Sequence, residues 1–164
     1  MLPQVPLAEY MRPKTLQHYV GQKHLVGEGA VLRQLIDGGS LHSMIFWGPP
    51  GVGKTTLAGL FAETQDREFF AISAINSGVK EVREVIEKAQ TQRNFTGQSP
   101  ILFIDEIHRF SKSQQDSLLN AVEKGIIILI GATTENPSFE VIAPLLSRCQ
   151  LYILKSLEEE ELKL

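Results

Sequence analysis

A glycine-rich loop with a single lysine directly follows a short apolar run. The run is Met44 to Trp47, and the loop GPPGVGKT (48–55) has the spacing G-x-x-x-x-G-K-[ST]. Glycines let backbone N–H groups approach a polyphosphate without a Cβ clash, and a helix that begins there adds its positive end. We expect Lys54 to contact the β and γ phosphates and the Thr55 hydroxyl to ligate Mg²⁺. The residues predicted to bind nucleotide here are Gly48, Pro49, Pro50, Gly51, Val52, Gly53, Lys54, Thr55 and Thr56.

Two adjacent carboxylates give the second chemical signal. Asp105 and Glu106 directly follow the apolar run Ile101 to Ile104. In an open parallel sheet, ligands bind outside the carboxyl ends of the strands. Asp105 would therefore hold Mg²⁺ as the partner of the phosphate loop, and Glu106 would polarise the water that attacks the γ-phosphorus. The alternative is a strand that simply runs into a charged loop, and the phosphate loop earlier in the chain favours the catalytic interpretation.

Alternating strands and helices must position these groups. Apolar runs at 44–47, 69–72, 101–104, 126–130 and 151–154 read as buried strands, and helical patterns separate several of them, from Thr55, after Gly78 and over 113–124. Strands that are apolar on both faces are typical of a parallel sheet covered on both sides. The predicted fold is thus an α/β P-loop NTPase with a five-stranded parallel sheet and helices on both faces. Residues 131–136 read as a polar turn.

The composition excludes several classes of protein. The chain has 164 residues, 43% of them apolar, a net charge of −3 and one cysteine, Cys149. This is the composition of one globular domain without a disulfide framework, and its charge gives no bulk attraction to nucleic acid. The chain lacks an apolar run of transmembrane length and the start lacks a signal-peptide pattern, so we expect a cytoplasmic protein without membrane contact. The four histidines lack metal-ligand spacing, and we assign them no zinc role.

The sequence as a whole resembles the AAA+ ATPases of the clamp-loader-like branch. Within that branch it is most similar to the replication-associated recombination protein A family, whose eukaryotic relatives are the Werner helicase-interacting ATPases. The resemblance covers nearly the whole chain and includes MRPKTLQHYVGQKHL (11–25) and LLSRC (145–149). Its most family-specific stretches are HRFSKSQQD (108–116) and GATTENPSFE (131–140).

The resemblance implies roles for residues that spacing alone does not assign. Thr134 would be the sensor of the γ-phosphate or the attacking water, with Thr133 as the alternative. Ser73 stands where related enzymes keep a polar residue that restrains the catalytic glutamate until DNA is bound. Arg148 would be an arginine finger that reaches into the neighbouring subunit's site. Cys149 needs no redox role, and we expect it to pack in the core.

The resemblance also divides the chain. Residues 1–29 would form a segment that wraps the adenine, with Tyr19, Val20 and Arg12 near the base. Residues 30–156 would be the α/β ATPase core, and 157–164 the start of a helical lid that is then cut short. We expect such a fragment to bind nucleotide weakly and turn over slowly, because one wall of the site and the partner's finger are missing.

The function implied is that of an ATP-binding and ATP-hydrolysing subunit with Mg²⁺, a DNA-dependent ATPase in replication fork maintenance, recombination and repair. The expected partners are DNA forks and single-strand/duplex junctions, further copies of the same chain, and single-strand-binding protein or a helicase; nucleoid association would follow. A clamp loader and a branch-migration motor share the same motifs and stay open. So does a nucleotide-binding interaction module with little hydrolysis. A small-molecule kinase would need an acceptor pocket, for which the sequence gives no signal.

Overall fold

The computed structural model of the chain describes residues 41–155. The predicted adenine-binding residues Arg12, Tyr19 and Val20 lie outside this range, as do the wrapping segment and the start of the lid. The division of the chain at residues 29 and 156 therefore stays a prediction.

The centre of the structure is a parallel sheet. The strands are β1 (Met44–Trp47), β2 (Phe69–Ser73), β3 (Ile101–Asp105), β4 (Ile128–Thr133) and β5 (Gln150–Ile153), in the order β2-β3-β4-β1-β5. All four neighbouring pairs are parallel, so every strand ends at the same edge. The predicted five-stranded parallel sheet is confirmed.

Helices follow the strands in turn. They are α1 (Lys54–Thr64), α2 (Val79–Thr96), a 3₁₀ turn (Ile107–Arg109), α3 (Lys112–Glu123), α4 (Pro137–Glu140) and α5 (Ala143–Ser147). Ser111 begins α3 with a reciprocal capping box to Gln114, an arrangement that satisfies two orphan N–H donors. Within residues 41–155, none of the helices has the length and apolar character to cross a membrane.

Successive strand residues pack into two separate cores. Met44 and Phe46 of β1 lie in one core with Phe61 of α1, whereas Ile45 lies in the other with Leu118 of α3. Alternate side chains of a strand point to opposite faces, so a strand that is apolar throughout is buried on both. The prediction of helices on both faces is confirmed.

The fourth strand is longer at its carboxyl end than the apolar pattern indicates. The predicted strand over 126–130 begins in fact at Ile128 and continues to Thr133, so the prediction of a turn beginning at Gly131 is wrong. Gly131 pairs with Ile45 in register. A Cβ on Gly131 would lie 2.9 Å from Cδ1 of Ile107, so the glycine here makes room for a packed side chain and does not end the strand.

Two short helices before β5, each with a proline in its first two positions, escaped prediction because they are too short to show helical periodicity. Both are tied to α3 by Gln115, which is 3% exposed. Its amide nitrogen donates to the carbonyls of Phe110 and Glu140, each at 3.1 Å, and its oxygen accepts from Ile142 N–H at 2.8 Å. This one side chain therefore joins the loop after β3 to the segment that leads to Arg148.

Candidate nucleotide-binding site

A cavity of about 310 Å³ opens at the carboxyl edge of the sheet, between the loop after β1 and the end of β3. Its walls are Pro50, Gly51, Gly53, Lys54, Thr55, Thr56, Asp105 and Glu106. The structure thus brings most of the predicted phosphate loop together with both predicted carboxylates. Gly48, Pro49 and Val52 do not line this cavity. Val52 is 8% exposed and belongs to the core around β1.

The loop depends on glycine at particular positions. Gly51 has φ +82° and Gly53 has φ +87°, in the left-handed region that other residues rarely adopt. Gly48 has a different reason: a Cβ there would lie 2.6 Å from the carbonyl oxygen of Leu154. Two glycines therefore shape the loop, and the third lets it leave the sheet close to the end of β5.

Lys54 lies at the bottom of the cavity and is 8% exposed. Its Nζ donates to the carbonyl of Gly48 at 2.6 Å and, more weakly, to that of Thr133 at 3.4 Å. An ammonium has three donors, so these two contacts fix its position and leave one for a ligand. Burial lowers the pKa of Lys54, and the charges of Glu106 and Asp105 oppose that fall. A polyphosphate would supply the compensating charge that this buried cation needs.

The donor groups of the cavity fit a magnesium nucleotide. Thr55 and Asp105 line the same cavity and offer a hydroxyl and a carboxylate as hard oxygen ligands. Mg²⁺ prefers a few such ligands together with phosphate oxygens. Helix α1 begins at Lys54, so its N-terminal end faces the same space and favours anions.

Glu106 is held in an unusual backbone conformation. Its φ of 57° and ψ of 45° are left-handed, which is uncommon for a residue other than glycine and costs about 1–3 kcal/mol. Its carboxylate lies 3.2 Å from Nε2 of His108. His108 Nδ1 in turn lies 2.8 Å from the hydroxyl of Thr133. Sequence reasoning missed this use of His108, because a lone histidine two residues after a glutamate is not a recognisable motif.

The two sensor candidates occupy different places. Thr133 is the last residue of β4, is fully buried and contacts His108. Thr134 follows the strand and is half-buried, and neither threonine is in the wall of the cavity described above. Thr134 as the sensor, with Thr133 as the alternative, stays a prediction.

Ser73 ends β2 beside Asp105, with which it pairs in register. Its hydroxyl accepts a hydrogen bond from Ile75 N–H at 3.3 Å, while the Glu106 carboxylate contacts His108. The predicted restraint of Glu106 by Ser73 stays a prediction, and in this conformation the histidine holds the carboxylate.

Arg148 lies far from this cavity in its own chain. It ends α5, two residues before β5, and Gln150 N–H donates to the carbonyl of Ser43 just ahead of β1. Arg148 therefore stands at the amino edge of the sheet, a strand length of roughly 10 Å or more from the phosphate loop. Its side chain is 51% exposed and lies 3.8 Å from Glu123. Next to it, burial raises the pKa of the half-buried Cys149 to about 12.

Comparison with protein families gives a match over most of the chain. Residues 44–157 match the family described as "ATPase family associated with various cellular activities (AAA)". The match includes the phosphate loop, Asp105, Glu106, Thr133 and Arg148.

Several proteins are similar to nearly the whole chain. Replication-associated recombination protein A of Haemophilus influenzae is 54% identical over 96% of this chain and 35% of its own length. The protein of that name from Escherichia coli K12 is 55% identical with the same coverage. ATPase WRNIP1 of Dictyostelium discoideum is 51% identical over 96% of this chain and 18% of its own length. The chain thus spans about a third of the length of the two bacterial relatives.

Among solved structures, the Thermotoga maritima RuvB Holliday junction branch migration motor superposes with a TM-score of 0.69 at 28% identity. The superposition covers 89% of this chain and 48% of that one.

Proposed function

Because the chain belongs to the AAA family of ATPases, we propose that it binds ATP with Mg²⁺ in this cavity and that Glu106 activates the water that attacks the γ-phosphorus. The observation that carries the proposal is the meeting of the phosphate loop with Asp105 and Glu106 in one cavity. The parts come from separate strands, and only the parallel sheet brings them together.

Each residue has a distinct part in this proposal. Lys54 binds phosphate oxygens with its remaining donor, and Thr55 and Asp105 hold Mg²⁺, which when bound supplies charge neutralisation to the phosphates. Glu106 accepts a proton from the attacking water, and such proton transfer typically contributes about 10²–10⁴-fold to rate. Thr133 or Thr134 senses the γ-phosphate. Outside the described residues, Tyr19, Val20 and Arg12 would contact the adenine.

Arg148 completes the site of a neighbouring copy in this proposal. It stands at the amino edge, remote from its own cavity, and its exposed contact with Glu123 is of the kind that contributes only about 0–1 kcal/mol. Arg148 therefore loses little free energy when it leaves Glu123 for a phosphate oxygen of the nucleotide bound to another subunit. The protein would act as a homo-oligomer.

For the protein as a whole we propose a DNA-dependent ATPase in replication fork maintenance, recombination and repair. The 54–55% identity to two proteins named for replication-associated recombination supports this role. Forks and single-strand/duplex junctions would be its DNA partners, single-strand-binding protein or a helicase its protein partners, and the cytoplasm, at the nucleoid, its location. The structural similarity to the RuvB branch migration motor supports a branch-migration ATPase as the second candidate.

The test is ATP turnover by the wild-type protein and the Glu106→Gln variant, with and without junction DNA. We expect the variant to lose about 10²–10⁴-fold in kcat while it still binds ATP. Measurable ATP binding with no turnover in the wild type, on any DNA, would favour a nucleotide-binding module. Turnover stimulated by four-way junctions alone would favour the branch-migration candidate over the fork-directed one.

A further inference from the structure

His108 joins the predicted catalytic carboxylate to the buried end of β4. Its Nε2 lies 3.2 Å from Glu106 Oε2, and its Nδ1 lies 2.8 Å from Thr133 Oγ1. The His108 side chain is 9% exposed and Glu106 23% exposed, so the imidazole forms the hidden part of the contact and the carboxylate reaches the cavity.

Hydrogen-bond accounting places a proton on Nε2. The Thr133 hydroxyl accepts from Glu135 N–H at 3.0 Å and has one proton of its own. If it gives that proton to Nδ1, a neutral imidazole carries its own proton on Nε2. In the other arrangement, the hydroxyl donates to Glu135 O at 3.1 Å and Nδ1 donates to the hydroxyl. The neutral Nε2 would then be an acceptor that faces the carboxylate of Glu106, which disfavours this arrangement. In the favoured arrangement Nε2–H donates to Glu106.

The local backbone makes this contact possible. The left-handed conformation of Glu106 starts the 3₁₀ turn, in which Arg109 N–H donates to the Glu106 carbonyl at 2.8 Å. The tight turn brings His108 back beside Glu106. Ile107, between them, points into the core and is fully buried against the space that Gly131 leaves. The buried side chain of Ile107 therefore anchors the turn to the core, and this fixes the position of the imidazole.

We propose that His108 is a positioning residue, which orients the Glu106 carboxylate for water activation and links that orientation to Thr133. The inference rests on the proposed hydrolytic function. A glutamate side chain has three rotatable bonds, and one donor at a fixed place selects among its rotamers. A change at Thr133, the alternative candidate for the γ-phosphate sensor, would reach Glu106 through the imidazole.

Two substitutions separate the two ends of His108. His108→Gln keeps an N–H donor that reaches as far as Nε2, whereas His108→Asn keeps a polar atom near Nδ1 and no longer reaches Glu106. We expect His108→Asn to lower kcat about 10–100-fold, in the range seen for groups that orient catalytic ligands. His108→Gln should keep more of the activity. KM and ATP affinity should change less than kcat in both, which a merely structural loss would not produce.

A double-mutant cycle tests the link to Thr133. Thr133→Val removes the hydroxyl, and Thr133→Ser keeps it as the control. We expect the loss in kcat from His108→Asn and Thr133→Val together to be smaller than the product of the single losses, because both break one chain of hydrogen bonds. With Thr133→Ser in place of Thr133→Val, the cycle should show His108 acting as it does in the wild type.

The outcomes distinguish this inference from the proposed function. If the wild type hydrolyses ATP and Glu106→Gln does not, but both His108 variants keep wild-type kcat, the positioning role is overturned and the ATPase proposal stands. Equal losses of kcat and ATP affinity in both His108 variants, with a lower unfolding midpoint, would also overturn it. A wild type without turnover removes the proposed function and this inference with it.

Discussion

The two edges of the sheet carry different chemistry. At the carboxyl edge, a buried lysine from the loop after β1 and two carboxylates from the end of β3 meet in one cavity, with hydroxyls of α1 beside them. At the amino edge, Arg148 extends from the end of a short helix, half exposed and only 3.8 Å from one exposed carboxylate. The carboxyl edge thus holds an assembled site, whereas the amino edge presents a cation that lies far from the site of its own chain.

A parallel sheet of this kind can divide one reaction between two copies of the chain. Because all strands are parallel, the groups that follow strands collect at one edge and those that precede strands collect at the other. A residue before β5 cannot serve the loop after β1 in the same chain. If Arg148 acts on phosphate, it acts across an interface.

Removing the amino-edge cation should have the largest effect. Arg148→Ala should lower turnover by about 10³-fold in the assembled protein, because charge on the transferring phosphoryl group loses its partner. ATP turnover at saturating nucleotide measures it, and Arg83→Ala, an exposed arginine of α2, is the matched control. Wild-type turnover in Arg148→Ala would mean that only residues at the carboxyl edge take part in the reaction.

Removing Lys54, the cation at the carboxyl edge, should weaken ATP binding. Lys54→Met leaves Asp105 and Glu106 uncompensated beside the phosphates, and the loss of a charge-assisted hydrogen bond should weaken ATP binding by about 10–100-fold. Equilibrium binding of a fluorescent ATP analogue measures it. Lys80→Met, whose side chain is 84% exposed, is the control. Arg148→Ala, in contrast, should leave the ATP affinity of an isolated subunit unchanged. An equal loss of affinity in Arg148→Ala would mean that the amino-edge cation binds nucleotide in its own chain.

Close packing at the carboxyl edge should be visible in stability. Gly48→Ala places a Cβ 2.6 Å from a backbone oxygen of Leu154 and should lower the free energy of unfolding by about 1–3 kcal/mol. Gly59→Ala, in the interior of α1 with no atom near its Cβ, should raise it by about 0.5–1 kcal/mol. Denaturant unfolding checks both. Equal effects at the two sites would mean that the loop relaxes away from β5.

The amino edge predicts a smaller, pH-dependent effect at Cys149. Burial raises its pKa from about 9 to about 12, so above pH 9 the unfolded chain loses a proton that the folded chain keeps. The contribution of this thiol to the free energy of unfolding is fully present below pH 9 and is lost as the pH rises towards 12. Near pH 10 the loss should be about 1 kcal/mol. The fall in unfolding free energy between pH 8 and 10 should be shallower in Cys149→Ala, and an equal slope would contradict a buried thiol.

The sequence was sufficient for the parts whose chemistry is local. The spacing from Gly48 to Thr55 encodes its own backbone shape, and Asp105 and Glu106 follow an unmistakable apolar strand, so loop and carboxylates could be predicted. The extent of β4 could not, because Gly131 looks like a turn residue and is a strand residue that accommodates Ile107. The helices that start at Pro137 and Ala143 are too short for periodicity to reveal.

The role of His108 could not be predicted from residue patterns, for a different reason. Its two contacts depend on the left-handed turn at Glu106 and on the length of β4, which brings Thr133 beside His108. Neither is encoded by residue type at that position. The place of Arg148 at the amino edge, in contrast, follows from topology alone once the strand order is known.

The most direct test of a site shared between two edges is complementation. Glu106→Gln and Arg148→Ala are each expected to be inactive in turnover. When the two are mixed in equal amounts, randomly assembled oligomers place an intact Glu106 beside an intact Arg148 in about a quarter of the sites. Turnover of the mixture should then be about a quarter of the wild-type turnover. A mixture as inactive as its components would contradict the shared site.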